Sequence, residues 1–229
     1  MYRSIKYISP QEDDNLIQIH NNNNDNRNRH CYEGINFREY LILQSDDDIF
    51  SYHSVVEYVV HKDIIKQHSE LIRDILDDQE EGEINNNNIQ QNIIPLPNIN
   101  GRTLGYIVQY MVNHHHCTNE TMDHNNNIIP KPLPTDAKLE DFISKWDNSF
   151  LNTDLVKNGN EKEHELLLDV ILAANFLKIQ SLLELGCAKI ADMIKERNPE
   201  QIRELFDIKE DFSYEEKEKI KQEQYWIQQ

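Results

Sequence analysis

The stretch LAANFLKIQSLLELGCAKIADMI, Leu172 to Ile194, is the most apolar part of an otherwise polar chain. Its apolar residues follow helical spacing, yet they cover more than one face. A helix against a single core needs one stripe. Surplus apolar faces require something further to pack against, within the protein or on another chain. Inside the stretch, Ser181-Leu182-Leu183-Glu184 has capping-box spacing. This predicts one helix ending near Ile179 and a second over 182–196.

The sequence downstream repeats such signals. Asn198-Pro199-Glu200-Gln201 places a capping residue before a proline at the first helical position. Ser213-Tyr214-Glu215-Glu216 is a further capping box. Consecutive helices are predicted over 164–178, 182–196, 199–206 and 214–226. The last is polar on most faces, with Ile220, Tyr225, Trp226 and Ile227 as its apolar residues. Such a helix buries itself poorly alone, and Trp is a favoured interface anchor.

Upstream the pattern changes to strands. YLILQ (40–44) reads as a strand, SDDD as a turn, and IFSYHSVVEYVV (49–60) supplies β-branched and aromatic residues. Ser69 then opens a helix carrying Leu71, Ile72, Ile75 and Leu76 at helical spacing. EEGEINNNNIQQN is a loop. IIPLPNIN is a short extended piece, because Pro95 and Pro97 bar a central strand. Asn100 caps a helix whose Leu104, Ile107, Val108, Met111 and Val112 line one face. From Cys117 to about Lys138 the chain is a polar, proline-bearing loop. Strands followed by helices define an α+β class.

Asparagine runs at Asn21–Asn24, Asn85–Asn88 and Asn125–Asn127 interrupt the 229 residues and hold the hydrophobic share to 38%. Residues 1–36, with one short alternating stretch LIQIH, read as a mostly disordered low-complexity extension. A net charge of −18 argues against nucleic acid as a partner, since phosphate contacts need a basic face. No window approaches the roughly 20 apolar residues of a membrane span, so no membrane partner is expected. The first residues lack a signal peptide's apolar core. The three cysteines, Cys31, Cys117 and Cys187, are odd in number and scattered, which disfavours a disulfide scaffold. Cytoplasm and nucleus, both reducing, are the expected location.

The chemistry-bearing motifs are few. GxGxxG, Walker A, HExxH and GxSxG patterns are absent. Asn113-His-His-His-Cys117 resembles a metal cluster, but adjacent positions cannot all face one tetrahedral zinc. It reads as a helix end with solvated histidines. Cys187, among Leu185, Ile190 and Ala191, reads as a buried small hydrophobe. The acidic run 77–83 reads as a solvated face rather than a cation site. A non-enzymatic binding module without cofactor or metal is the leading reading.

WDNSF, LAANFLKIQSLLELGCAKIADMI, NPEQIRELFDIKEDFSYEE and EQYWIQQ resemble the S-phase kinase-associated protein 1 family, which contains the adaptor of SCF ubiquitin ligases. LQSDDDIF, KQHSELIRDILDD and PLPNIN extend the match upstream, so it spans roughly 41–229. The resemblance implies a BTB/POZ fold, a small sheet flanked by helices, over 37–178, followed by F-box-binding helices over 179–229. It implies a bridging role in ubiquitin-dependent degradation: a cullin docks on the BTB part, and the F-box of a substrate receptor completes a shared core with the C-terminal helices. Asn175-Phe176 matches the family's cullin-contacting Asn-Tyr pair, with the ring kept and the hydroxyl lost. On the F-box side the matched apolar positions are Leu182, Leu183, Ile190, Ile194, Ile202, Leu205, Phe206, Ile208, Phe212, Ile220 and Trp226. Each serves the internal core or the partner, and the sequence leaves that choice open. Pro199 matches a proline that some protist members hydroxylate and glycosylate. Its context here is Asn-Pro-Glu-Gln rather than Thr-Pro-Glu-Glu, and a plain helix-opening proline is the favoured reading.

Departures from the family pattern mark a divergent paralogue. Either Ser4-Ile-Lys-Tyr7 or Leu41-Ile-Leu-Gln44 fits the family's first strand, and the second is favoured because QSDDDIF continues it. The family's turn glycine is Asp48 here, and extra residues sit at 51–57 and at Leu155–Glu163. Three other readings compete with the adaptor. An elongin-C-like adaptor would lack helices over 199–226. A self-associating BTB/POZ scaffold would form a homodimer that an F-box leaves unchanged, whereas the F-box adaptor is expected to form a homodimer only when F-box is absent. A metalloenzyme would have to rest on the His-Cys cluster.

Overall fold

The computed structural model describes residues 3–8, 17–20, 36, 38–46, 55–80, 92–116, 129–134, 136–156, 164–209 and 212–224. Its strands are β1 (Arg3–Ile8), β2 (Ile17–His20), β3 (Tyr40–Ser45), β4 (Val55–His61) and β5 (Ile93–Leu96). They form one sheet in the order β2-β1-β4-β3-β5. β3 and β4 are antiparallel, with Leu43 opposite Tyr58 and Leu41 opposite Val60. Alternation sends Leu41, Leu43, Tyr58 and Val60 into the hydrophobic core. Ile42, Val59 and Glu57 take the opposite face and are buried as well. β5 runs parallel to β3 at an edge, the place that Pro95 permits.

The helices are α1 (Lys62–His68), α2 (Glu70–Glu80), α3 (Gly101–His116), α4 (Lys145–Ser149), α5 (His164–Phe176), α6 (Gln180–Ile194), α7 (Pro199–Leu205) and α8 (Tyr214–Gln224). A 3-10 turn at Leu139–Asp141 precedes α4, and a π-helical segment at Phe150–Leu155 follows it. The expected caps form in several places. Asn100 accepts from the Thr103 N–H at 2.8 Å, and Asn198 and Gln201 cap each other's backbone. Ser213 accepts from the Glu216 N–H at 3.3 Å, while the Glu216 carboxylate accepts from the Ser213 N–H at 2.8 Å. The Ser213 N–H and then the Ser213 hydroxyl, both donating to that carboxylate, hold it below its ordinary range.

Three features differ from the sequence reading. Residues 3–8 and 17–20 lie within the expected disordered extension, yet they form a hairpin whose β1 pairs parallel with β4. Both candidates for the first strand are therefore strands: Leu41–Gln44 lies between β4 and β5, and Ser4–Tyr7 lies on the other side of β4. The open edge of β4 offers unpaired backbone groups, and this long-range pairing satisfies them. Secondly, α1 occupies a stretch to which the sequence reading gives no element. Its Ile64 and Ile65 are adjacent and fully buried, a pattern too short to show periodicity. Thirdly, Ser181 caps nothing. α6 starts at Gln180, and the residue before it, Ile179, makes no side-chain cap.

The break between α5 and α6 has another cause. The Ile179 N–H donates to the Ala174 carbonyl at 2.8 Å and the Lys178 N–H to the Asn175 carbonyl at 3.2 Å. Lys178 between them has φ 52°. This is a Schellman ending with lysine where glycine is usual. α7 ends the same way: Asp207 has φ 50°, and the Ile208 N–H reaches the Arg203 carbonyl at 2.8 Å.

α5 and α6 cross closely at Gly186. A Cβ there would lie 2.5 Å from Cγ1 of Ile171, so only glycine lets the backbones approach. Leu177, Ile179, Leu182, Leu185 and Ala188 consequently join the same cluster as the sheet. The expected boundary between 178 and 179 thus falls inside one core. Among the described residues, that cluster contains nothing from α7 or α8.

Candidate docking faces

α5 buries Leu166, Leu167, Val170, Ala173 and Ala174. The opposite stripe carries Leu168, Leu172 and Phe176, spaced i, i+4, i+8 and exposed by 40%, 67% and 47%. Exposed Glu165, Asp169 and Asn175 flank it. The Asp169 carboxyl is pushed up, first by partial desolvation against its neighbours and then by the charge of Glu165. The expected cullin-contacting pair, Asn175 and Phe176, therefore ends a longer apolar ladder. Leu168 and Leu172 escaped the sequence reading because α5 is apolar nearly all round. Which side faces outward is decided by the packing of α3 and α6.

The second group of expected positions divides by burial. Leu182, 1% exposed, and Leu205 are buried, so the structure corrects their placement on a receptor-docking face. Leu182 lies on the side of α6 turned to the core. Leu183, Ile190, Ile194, Ile202 and Phe206 are half-buried. Ile208, Phe212 and Ile220 are exposed, with Tyr214 beside them. Trp226 lies outside the described residues. Phe206 tilts against His164 at 5.7 Å, and Arg203 lies 5.6 Å from the Phe212 ring centroid. These contacts tether α7 while leaving much apolar surface on the C-terminal helices uncovered. Pro199 is exposed at the first position of α7.

Cys187, expected in the core, is exposed. It projects from α6 away from the side on which Leu182, Leu185 and Gly186 meet the core. The histidine run separates into different roles. His114 Nε2 lies 3.1 Å from Asp147 and its Nδ1 lies 3.0 Å from the Tyr110 carbonyl, whereas His115 Nδ1 meets Gln67 Oε1 at 2.6 Å. Cys117 lies outside the described residues. Among those described, no group of three His, Cys, Asp or Glu could hold a metal ion. The Tyr110 hydroxyl proton is held more tightly than usual by burial, against a hydrogen bond with Ser181.

Lysines on α6 fix it to the preceding segment. Lys195 Nζ donates to the Ala137 carbonyl at 2.7 Å and pairs with Asp192 at 3.0 Å. Lys189 donates to Asn152 at 2.7 Å, and burial pushes its ammonium below the ordinary lysine range.

Residues 180–227 match the model of the Skp1 family, dimerisation domain. The E3 ubiquitin ligase complex SCF subunit sconC of Talaromyces marneffei is 30% identical over 188 residues, covering 82% of this chain and 96% of the relative. The chain belongs to the Skp1 family. SKP1-like protein 20 of Oryza sativa subsp. japonica is 36% identical over 135 residues, covering 58% of this chain and 72% of that protein. The sconC subunit of Aspergillus terreus is 32% identical over 181 residues, covering 79% and 95%. The mixed sheet and helices are the α+β, BTB/POZ-like architecture of this Skp1 member. The family domain begins where α6 does, at Gln180.

Proposed function

We propose that this Skp1-family chain is a non-catalytic adaptor of an SCF-type ubiquitin ligase, joining a cullin to F-box substrate receptors. The observation that carries the reading is the presence of exposed apolar residues on α5 and again on α6 to α8. One group is the Leu168–Leu172–Phe176 ladder of α5. The other is the uncovered apolar set of α6 to α8, including Ile208, Phe212 and Ile220. Large apolar side chains left exposed in groups mark protein-interaction sites. The relatives named as SCF subunits support the adaptor role. In this reading the cullin takes the α5 ladder, with Asn175 at its end. The F-box takes Leu183, Ile190, Ile194, Ile202, Phe206, Ile208, Phe212 and Ile220, with Trp226 as an anchor. Leu182 and Leu205 support that surface from beneath.

Phe176 presents a ring without a phenolic hydroxyl. Where a cullin offers a hydrogen bond at that point, about 0.5–1.5 kcal/mol is forfeited. A cullin with an apolar contact there is the better fit. Helices α7 and α8, absent from the elongin-C-like alternative, favour F-box binding. The free thiol of exposed Cys187 suits the cytoplasm or nucleus, where thiols stay reduced. Affinity capture with Asn175→Lys and Trp226→Ala variants tests the division of labour. The first should lose the cullin and keep receptors, and the second should do the reverse. Retention of both partners by both variants would overturn the assignment.

A further inference from the structure

We propose that Ser69 is a positioning residue for the cullin-docking end of α5, acting through the carbonyl of Leu177. The proposal rests on the cullin reading of the α5 ladder. Leu177 directly follows Phe176, and its carbonyl lies past the last bonds of the Schellman ending. That carbonyl accepts the Ser69 hydroxyl at 2.6 Å. Ser69 is fully buried, so water cannot replace it.

The hydroxyl is itself held in place. Its oxygen accepts the Ile72 N–H at 3.2 Å, which caps α2. The Ser69 N–H donates to the Ile65 carbonyl at 2.8 Å and closes α1. One residue thereby ends α1, starts α2 and aims its single hydroxyl proton at the α5–α6 turn. Asp74 of α2 adds a longer contact to the same turn, 3.8 Å from Lys178 Nζ. Losing the hydroxyl leaves a buried carbonyl unpaired beside Phe176, and the turn is free to move it.

Titration of cullin N-terminal domain and of an F-box receptor into Ser69→Ala, Ser69→Thr, Lys178→Gly and Ser69→Ala/Lys178→Gly chains tests this. Ser69→Ala should weaken cullin binding about tenfold and leave receptor binding within about twofold. Ser69→Thr, which keeps the hydroxyl, should restore most of the loss. Glycine suits the left-handed position of residue 178, so the double variant should regain melting temperature. Its cullin affinity should still fall about tenfold below that of Lys178→Gly alone. If cullin affinity returns with stability, or if Ser69→Ala weakens both partners equally, Ser69 is merely structural and the proposal is overturned. If the unaltered chain binds cullin and Leu172→Asp abolishes this while Ser69→Ala does not, the proposal alone fails. If the unaltered chain binds no cullin, the docking reading fails with it.

Discussion

The carboxylate of Asp147 lies 3.1 Å from Nε2 of His114, and both side chains are largely enclosed. Oδ1 is within ion-pair distance but off the direction of a hydrogen bond. Its other oxygen accepts the Ser144 hydroxyl at 2.8 Å. The pair joins α3 to α4 beside a stack of rings, with Trp146 and Phe150 4.9 Å apart and His114 4.0 Å from Tyr110. Removing either member leaves a buried polar group uncompensated. His114→Ala and Asp147→Ala should each cost roughly 2–3 kcal/mol, and the double variant less than the sum. Urea midpoints of the four chains measure this coupling.

His68 sits nearby, edge-on to Tyr110 at 6.5 Å. Burial is the main cause that pushes it from 6.5 down to about 4, and the charges of His114 and His115 add to the effect. The unfolded chain therefore takes up this proton first as pH falls. Its contribution to stability declines from about pH 6.5 towards about pH 4 and is constant above that window. His68→Phe should flatten the decline of melting temperature over the same range. An unchanged slope would mean that other groups control it.

Gly186 packs where α5 and α6 cross. Gly186→Ala puts a methyl 2.5 Å from Ile171 Cγ1, which is close to the backbone and cannot swing away. Overpacking there should destabilise by about 2 kcal/mol. Ile171→Ala in the same chain should recover part of that loss. Thermal unfolding of the single and double variants checks the relation.

Pro199 opens α7 beside its capping box. That role accounts for the residue without modification. Mass spectrometry of the peptide from the native host should return its unmodified mass, and added oxygen or sugar would contradict this.

Helix starts are legible in the sequence where a side chain closes its own turn. Asn100, Asn198 and Ser213 announced their helices because each cap is completed within three residues. The break near Ile179 is legible, but its cause is not Ser181: the ending relies on Lys178, a residue with no intrinsic preference for positive φ. β1 was legible as a Ser-Ile-Lys-Tyr segment, but its parallel partner β4 starts after residue 54, beyond any local window. The apolar character of the C-terminal positions is legible in the sequence, but their exposure is not. Leu182 could not be told from Leu183, because only the crossing at Gly186 decides which faces inward.

The direct measurement is the mass and composition, by light scattering during size-exclusion chromatography, of this chain mixed with a cullin N-terminal domain and an F-box receptor. Two independent docking faces predict one complex containing each component once. Leu172→Asp should release only the cullin, and Phe212→Asp should weaken only the receptor. Competition between cullin and receptor for the chain, or loss of both from either variant, would contradict the bridging role.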